Sequence, residues 1–205
     1  IRQFAGFGST PTQADAEWYD HLHHHVDVLV VGGGLAGLQA ALNCANNGLQ
    51  VLLVDEQAQL GGWLLSDASS QFNGKTGAEY AAELAQTLAN HANVTVLTRT
   101  TAFALHDHNL IQAVELLQDH IPVRQRDLQQ ARQRLHRIRA DKVILAAGAI
   151  ERPLVFGNND MPGVFTVSAA QTYLNRYGVL LGEKIAICGN NDEIYMAARD
   201  LALAG

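Results

Sequence analysis

Short apolar runs alternate with longer amphipathic stretches along the first half of this chain. The β-branched runs 26–31 and 51–54 are typical of buried parallel strands, and the alanine-rich stretch 35–46 between them is typical of a helix. The order strand, helix, strand predicts a βαβ unit whose two strands lie in one parallel sheet.

The middle of the chain predicts one more helix and a meander of strands. The spacing of Tyr80, Leu84 and Leu88 is helical and predicts an amphipathic helix over 76–90. Apolar runs then predict a short strand and a hairpin around the polar turn 107–109, the strands being 94–97, 101–105 and 110–117.

The last third of the chain predicts a further set of elements. The apolar run 142–148 predicts a second buried strand that ends in small residues. Residues 168–171 match a capping box, which predicts the start of a helix that Gly178 closes. A final strand is predicted at 184–188 and a final helix from Asn191 onward.

The glycines between the first strand and the first helix predict a dinucleotide site. Gly32 permits the tight turn, Gly34 lets the backbone approach a pyrophosphate, and Gly37 lets helix and strand pack closely. The helix N-terminus, with its orphan N–H groups and positive dipole end, receives the phosphates. Asp55 follows the second strand, eighteen residues after Gly37, where a carboxylate bonds the adenosine ribose.

Two acids at the end of the second strand narrow the choice of nucleotide. Asp55 and Glu56 would both face the 2′-phosphate of NADP. A like-charge contact at ~4 Å and an effective dielectric of ~20 costs roughly 4 kcal/mol, or about three decades of affinity. The ligand is therefore expected to be NAD or FAD, which the sequence does not separate.

Composition excludes several classes of protein. A net charge of −6 gives no global attraction to nucleic acid or anionic lipid, and no apolar run approaches the ~18 residues of a membrane span. Cys44 and Cys188 are expected to be buried thiols in a reducing compartment, which favours a cytoplasmic location. No signal peptide is visible, although the chain begins at Ile1.

Several weaker patterns are better explained without a ligand. The histidines 23–25 have no cysteine or carboxylate at metal-ligand spacing, and the P-loop-like stretch 73–76 has Ser69 where a glycine is required. Six arginines within 124–139 are not interleaved with aromatic residues, so we expect a polar hairpin arm or a contact with another protein chain. The cluster 106–108 is expected to be a solvated turn. No catalytic residue or metal ligand is assigned.

These elements predict an α/β fold with a parallel sheet, in three parts. Residues 1–25 form an irregular N-terminal segment, 26–155 a first Rossmann-like dinucleotide-binding domain with a β-meander, and 156–205 the start of a truncated second one. In the second glycine turn, Asn191 and Ile194 stand where glycine or alanine is needed, so we expect no nucleotide there. We interpret the chain as a piece of a longer protein, cut at both ends.

The chain resembles the flavoproteins with two dinucleotide-binding domains. Segments 141–153, 154–164 and 172–178 are similar in particular to the α subunits of heterotetrameric sarcosine oxidases. The same segments also look like those of α-type subunits in related amine and amino-acid dehydrogenases. Two departures from the family pattern are Leu35, where proline is usual, and Ala147, where threonine is usual.

The resemblance implies a particular set of cofactors. The first site of the α subunit holds a non-catalytic NAD where other flavoproteins carry FAD, an FMN lies at the contact with the β subunit, and the β subunit carries the FAD that oxidises the amine. The residues expected to contact the nucleotide are Gly32, Gly33, Gly34, Ala36, Gly37, Asp55, Glu56, Gln57, Gly62, Trp63, Ala102, Ala147 and Gly148.

The implied function is that of one subunit in a complex. Such a complex demethylates sarcosine oxidatively to glycine, produces hydrogen peroxide and passes a one-carbon unit to tetrahydrofolate. The β and smaller subunits are the expected partners of this chain. One of these partner subunits is expected to bind the amine. This stretch alone is expected to be inactive. The alternatives are a stand-alone FAD-dependent, NADH-oxidising reductase, a related amine or amino-acid dehydrogenase subunit, and a non-enzymatic nucleotide-binding assembly module.

Overall fold

The computed structural model describes residues 12–205, and residues 1–11 lie outside the described part of the chain. The strands and helices alternate as the apolar pattern predicts. The strands are β1 Tyr19–Val31, β2 Val51–Val54, β3 Gln71–Phe72, β4 Lys75–Thr76, β5 Val94–Leu97, β6 Thr100–His106, β7 Leu110–Leu116 and β8 Gln133–Leu145. The helices are α1 Leu35–Asn46, α2 Gly77–Ala89, α3 Val167–Gln171 and α4 Glu193–Ala204.

Six of the strands form one mixed sheet in the order β5-β2-β1-β8-β7-β6. Strands β5, β2, β1 and β8 are parallel to one another, and β6, β7 and β8 form an antiparallel meander. The predicted α/β fold with a parallel sheet and a β-meander is confirmed. Since β1 lies between β2 and β8, the carboxyl ends of three parallel strands converge beside the glycine turn.

Successive side chains of β1 point to opposite faces of the sheet, and each face carries its own apolar core. Val28 and Val30 pack with α1 and α2 on one face, where Leu38, Leu84 and other apolar side chains are buried. Leu29 packs on the opposite face, against side chains of β7 and β8. Because both faces of the sheet are covered at the end of β1, every residue of this run is apolar rather than every second one.

The N-terminal half of β1 was not predicted by the apolar pattern. Residues 19–25, predicted to be irregular, pair in parallel with β8, with Tyr19 opposite Gln133. These residues are polar because most of their side chains are exposed. The strand forms here because β8 supplies hydrogen-bond partners from more than 100 positions away in sequence, a contact that local periodicity cannot show.

The arginine-rich segment stabilises this extension through ion pairs within the chain. Arg126 and Arg132 both contact Glu17 at 2.7 Å, and Arg134 contacts Asp20 at 3.0 Å. Arg132 also pairs with Asp119 at 2.6 Å. Part of the predicted hairpin arm is therefore strand β8, and three of its six arginines are engaged with acids of the same chain.

Three further predictions about the last third are wrong. No strand forms at 184–188, because no strand of the described part of the chain lies beside it to pair with its backbone. Cys188 is accordingly exposed rather than buried, whereas Cys44 is half-buried. The run 142–148 enters β8 only as far as Leu145, and its side chains are exposed or half-buried rather than fully buried.

The helix predicted from the capping box forms with a different cap. The N–H groups of Val167 and Ser168 donate to the carboxylate of Glu151, at 3.0 and 2.7 Å. Burial would raise the pKa of Glu151, but hydrogen bonds from the Ser168 hydroxyl and from the N–H groups of Ser168 and Val167 outweigh it, and the pKa lies below its usual value. Gly178 closes the helical stretch as predicted, with φ of 66° and its N–H donated to the Leu174 carbonyl.

Gly37 packs α1 against the glycine turn. A Cβ on Gly37 would lie 1.8 Å from the carbonyl oxygen of Gly32, whereas a Cβ on Gly34 would meet no atom within 4 Å. We therefore expect Gly37→Ala to lower the free energy of unfolding by about 2 kcal/mol or more, because the helix must move away from the sheet. Gly157→Ala, at an exposed glycine where an added Cβ meets no atom within 4 Å, is the matched control and should leave it unchanged. Urea unfolding of the full-length protein measures both, and equal stability of the two variants would contradict the packing described here.

A polar cluster lies on β1, β7 and β8, far along the strands from the glycine turn. His24 Nε2 lies 2.8 Å from His136 Nδ1, and His136 Nε2 lies 3.0 Å from the carboxylate of Glu115. His136 is fully buried. Since the carboxylate can only accept, the neutral arrangement has His136 donating to Glu115 and accepting from His24. Burial, together with the nearby His136, lowers the pKa of His24 below its ordinary value.

The lowered pKa of His24 makes stability depend on pH. Below about pH 6.5 the unfolded chain gains a proton on this histidine before the folded chain does, so the stability present above that pH is lost as the pH falls. We expect His24→Gln to flatten the fall in the free energy of unfolding between about pH 7.5 and about pH 5.5. His25→Gln, at an exposed position of the same strand, is the control and should follow the wild type. A wild-type slope in the His24 variant would contradict this assignment.

Candidate functional site

The tight turn after β1 can be formed only by glycine at position 32. Gly32 has φ of 104°, and a Cβ there would lie 2.3 Å from the Ala146 carbonyl oxygen. Its N–H donates to the Val54 carbonyl at 2.8 Å, and the N–H of Ala146 donates to the Val31 carbonyl at 2.7 Å. The ends of β1, β2 and β8 are therefore joined around this one residue.

The space in front of α1 is open. A Cβ on Gly34 would meet nothing within 4 Å, although the neighbouring glycines of the turn are tightly enclosed. Gly34 is the N-cap of α1, no side chain caps the helix, and its first turn, which holds Ala36 and Gly37, carries no acid. An uncapped helix N-terminus beside free space is suited to an anionic group such as a pyrophosphate.

Asp55 is fixed beside the turn at the end of β2. Its Oδ2 accepts a hydrogen bond from the N–H of Gly33, and its Oδ1 accepts one from the N–H of Gln57 at 2.7 Å. The carboxylate therefore has a set orientation before any ligand binds. Glu56 and Gln57 follow it with exposed side chains.

Gly33 is also enclosed, by side-chain atoms rather than by the backbone atoms that enclose Gly32 and Gly37. A Cβ at this position would lie 2.4 Å from Leu60 Cδ2 and 3.0 Å from Asp55 Oδ2. Position 33 is a variable position of the Gly-x-Gly-x-x-Gly motif, so the motif does not show this constraint. Asp55 is the signal that could have revealed this constraint. Its carboxylate accepts a hydrogen bond from the Gly33 N–H, and a Cβ at position 33 would crowd that carboxylate.

A second glycine pair, Gly61 and Gly62, lies against the turn. The N–H of Gly61 donates to the Gly33 carbonyl at 2.8 Å. A Cβ on Gly62 would lie 3.0 Å from Gly34 Cα, and both Gly61 and Gly62 have positive φ. Trp63 follows directly, with 48% of its surface exposed.

The remaining residues predicted to contact the nucleotide are Ala102, which follows Asp55 in space, and Ala147 and Gly148, which lie beside Gly32. The N–H of Thr100 donates to the Asp55 carbonyl at 2.8 Å, which places the start of β6, including half-buried Ala102, beside the acid. Ala147 and Gly148 extend from the end of β8 next to Gly32 and are exposed. The glycine turn, Asp55, Gly62 and the end of β8 thus surround the open end of α1.

The second glycine turn is filled by its own chain. A Cβ on Gly189 would lie 2.3 Å from Ile194 Cγ2, in the first turn of α4. The side chain that replaces the small residue of the motif is therefore packed over the turn. This packing supports the expectation that the second turn does not bind nucleotide.

These features define an α/β protein of the dinucleotide-binding class. The family model described as pyridine nucleotide-disulphide oxidoreductase matches residues 26–190, and the chain belongs to this family. In the described part of the chain, none of the helices has both the length and the apolar character that crossing a membrane requires.

Individual relatives agree with the predicted resemblance to sarcosine oxidase α subunits. The chain is 46% identical over 205 residues to the sarcosine oxidase α subunit of Rhizobium meliloti (strain 1021), covering 100% of this chain and 20% of the relative. It is 40% identical over 203 residues to that of Corynebacterium sp. (strain U-96), covering 98% and 21%. The chain thus spans about a fifth of the length of these relatives.

Two further relatives carry different names. An opine oxidase subunit of Rhizobium meliloti (strain 1021) is 29% identical over 188 residues, covering 87% of this chain and 36% of the relative. The crystal structure of L-proline dehydrogenase from P. horikoshii matches with a TM-score of 0.71 and 30% identity, covering 91% of this chain and 35% of that one. The Rossmann-like fold is therefore confirmed in a solved structure.

Proposed function

We propose that this chain binds one dinucleotide at the turn from Gly32 to Gly37, with NAD as the ligand and FAD as the alternative. The observation that carries the proposal is the open space at Gly34, in front of an uncapped helix and beside a carboxylate with a fixed orientation. The pyrophosphate lies against Gly34 and the N–H groups of Ala36 and Gly37, and Asp55 accepts from the adenosine ribose.

The other predicted residues surround that ligand in this proposal. Glu56 and Gln57 lie on the adenosine side, where the negative charges of Asp55 and Glu56 disfavour NADP. The backbones of Gly62, Ala102, Ala147 and Gly148 come close to the nucleotide, and Trp63 lies beside it; each of these contacts is a proposal. The supporting geometry is that Gly62 touches Gly34 and that Thr100 bonds the Asp55 backbone.

We further propose that the full-length protein is the α subunit of a sarcosine-oxidase-like complex. The support is the 46% identity to the sarcosine oxidase α subunit of Rhizobium meliloti along all of this chain. In this proposal β and smaller subunits complete the complex, a partner subunit binds the amine, and an FMN lies at the contact with the β subunit. The complex demethylates sarcosine to glycine with production of hydrogen peroxide and transfers the one-carbon unit to tetrahydrofolate. Its location is cytoplasmic.

A related amine or amino-acid dehydrogenase subunit is the second candidate. It is favoured by the similarity to an opine oxidase subunit and to L-proline dehydrogenase. All of these names denote oxidation of secondary or cyclic amines, so the chemistry of the substrate is shared. Comparing sarcosine, proline and an opine as electron donors to the purified complex separates the two candidates.

The alternative of a stand-alone NADH-oxidising reductase has less support. It needs a second nucleotide site, and the turn at Gly189 is filled by Ile194. Cys44 and Cys188 lie far apart in sequence, and neither forms a disulfide in the described part of the chain.

Gly34→Val tests the nucleotide site directly. The side chain would stand in the place of the pyrophosphate, so we expect the full-length protein to purify with less than about a tenth of the wild-type nucleotide. The fold should be retained, because no atom lies within 4 Å of the new Cβ. Gly157→Val, at another glycine with open space around it, is the control and should keep full occupancy. Normal occupancy in Gly34→Val would refute the assignment.

Asp55→Ala separates a redox role of the nucleotide from an assembly role. The variant loses the ribose acceptor and the anchor of the Gly33 N–H, so we expect nucleotide content to fall. If the nucleotide supports assembly alone, size-exclusion chromatography shows fewer complexes while each assembled complex turns over amine at the wild-type rate. A lower rate per assembled complex would instead assign the nucleotide to the chemistry.

A further inference from the structure

The first halves of β1 and β8, together with β7, present one face of the sheet to solvent. Alternate side chains of a strand point to the same face, so on β8 Arg134 and Ile138 share one face while Arg137 and Arg139 share the other. Ile138 is fully buried in the apolar core that also holds Leu29. Arg137 and Arg139 therefore lie on the outer face of this part of the sheet.

The strand register brings histidines of β1 next to these arginines. His23 lies opposite Arg137, and His25 lies opposite Arg139, in the parallel pairing of β1 with β8. On the other side of β8, Gln112 of β7 lies opposite Arg137. We call this surface the arginine–histidine face; its residues are His21, His23, His25, Gln112, Arg137 and Arg139. The three histidines and Arg139 are exposed, and Arg137 is half-buried.

The two faces of β8 differ in whether their arginines have acidic partners. On the inner face Arg134 lies 3.0 Å from the carboxylate of Asp20 and 3.5 Å from that of Glu115. On the outer face Arg137 and Arg139 form no ion pair with any acid of the described residues 12–205. The inner arginine is therefore neutralised within the chain, and the charge of the outer pair is available to another molecule.

The arginine–histidine face differs in charge from the rest of the chain. The outward positions of 19–25 on β1, of 133–139 on β8 and of β7 include neither an acid nor a lysine. The next acids along β1 and β8 are Asp27 and Asp141, and Asp27 already accepts a hydrogen bond from the Gln50 N–H at 2.7 Å. The chain as a whole carries a net charge of −6. A positively charged face thus stands on an acidic protein.

This composition fits a protein partner better than a nucleic acid or a membrane. Protein–protein interfaces are enriched in arginine and depleted of lysine, aspartate and glutamate, and this face shows the same pattern. An extended polyanion would also meet the acidic remainder of the chain, which repels it. A compact acidic patch on a folded protein can contact the arginines without that repulsion.

We propose that the arginine–histidine face docks an acidic patch of a partner subunit. The inference rests on the proposed function, which supplies such a subunit. Arg137 and Arg139 pair with carboxylates of the partner, and the imidazoles of His21, His23 and His25 donate hydrogen bonds beside them. The face lies at the opposite end of β1 from the glycine turn, so the docked subunit leaves the proposed nucleotide site open.

The first test maps the contact by cross-linking in the full-length protein, purified together with its other subunits. Arg137→Lys and, separately, His23→Lys place an amine on the face. A carbodiimide then joins that amine to a carboxylate in contact with it, and mass spectrometry identifies the linked peptides. We expect cross-links from these positions to Asp or Glu of another subunit. Arg124→Lys, at an exposed turn outside the face, is the control and should form none to another subunit.

The second test measures the strength of the contact by reversing its charge. Arg137→Glu combined with Arg139→Glu should raise the Kd of the partner subunit about tenfold or more, since repulsion replaces attraction. Added salt should weaken the wild-type complex more than this variant, because it screens the paired charges. Arg124→Glu is the matched control and should leave the Kd unchanged. The nucleotide content of each variant reports whether its fold is retained.

The outcomes separate this inference from the proposed function. Cross-links to another subunit, with a weaker complex after charge reversal, support the docking face. An unchanged Kd after charge reversal, or cross-links only within this chain or to a second copy of it, overturn the face while the proposed complex stands. Binding to DNA or to phosphatidylserine vesicles that charge reversal abolishes would assign a different partner and overturn it as well.

A wild-type protein that purifies without any other subunit overturns the proposed complex and the docking face together. The lysine variants keep or add positive charge on the face. If the charge-reversed variant fails to fold, the cross-links alone therefore decide the test.

Discussion

The close approach of three backbones at Gly32 is the constraint on which the site depends. The end of β1, the start of α1 and the segment after β8 meet there at distances that leave no room for a Cβ. This contact aims the N-terminus of α1 at open space and places Ala147 and Gly148 beside it. The hydrogen bonds of Gly32 and Ala146 then lock the ends of β2 and β8 to β1. Backbone packing therefore determines where the proposed ligand can lie, and the side chain of Asp55 adds a hydrogen-bond acceptor beside that place.

Features that depend on local sequence were predicted well. The βαβ unit, the glycine turn, the acid after β2 and helix α2 follow from periodicity and from glycine chemistry within about 20 residues. The packing of Ile194 over the second turn also agrees with the sequence argument, since a branched side chain replaces a small one.

Features that depend on distant partners were missed. Residues 19–25 carry no apolar pattern, yet they form a strand because β8 supplies hydrogen-bond partners, and an ion pair from Arg134 to Asp20, from far along the chain. Glu151 caps α3 from outside the helix, and no spacing rule connects the two. The segment 184–188 has a strand-like composition without a neighbouring strand, so composition alone predicted the wrong element. The cleft lined by Trp63, Thr172 and Tyr173 joins residues more than 100 positions apart, which no local pattern shows.

The turn at Gly34 is proposed to hold a single dinucleotide, and the identity of the bound ligand decides whether it does. The measurement is to purify the full-length protein, denature it and identify the nucleotide released per chain by mass spectrometry, after removing any partner subunit that carries its own flavin. We expect one dinucleotide per chain. NAD would agree with a supporting role in a sarcosine-oxidase-like complex, and FAD with a redox role of this site. Release of NADP, or of no nucleotide from a folded protein that also fails to bind added NAD or FAD, would contradict it.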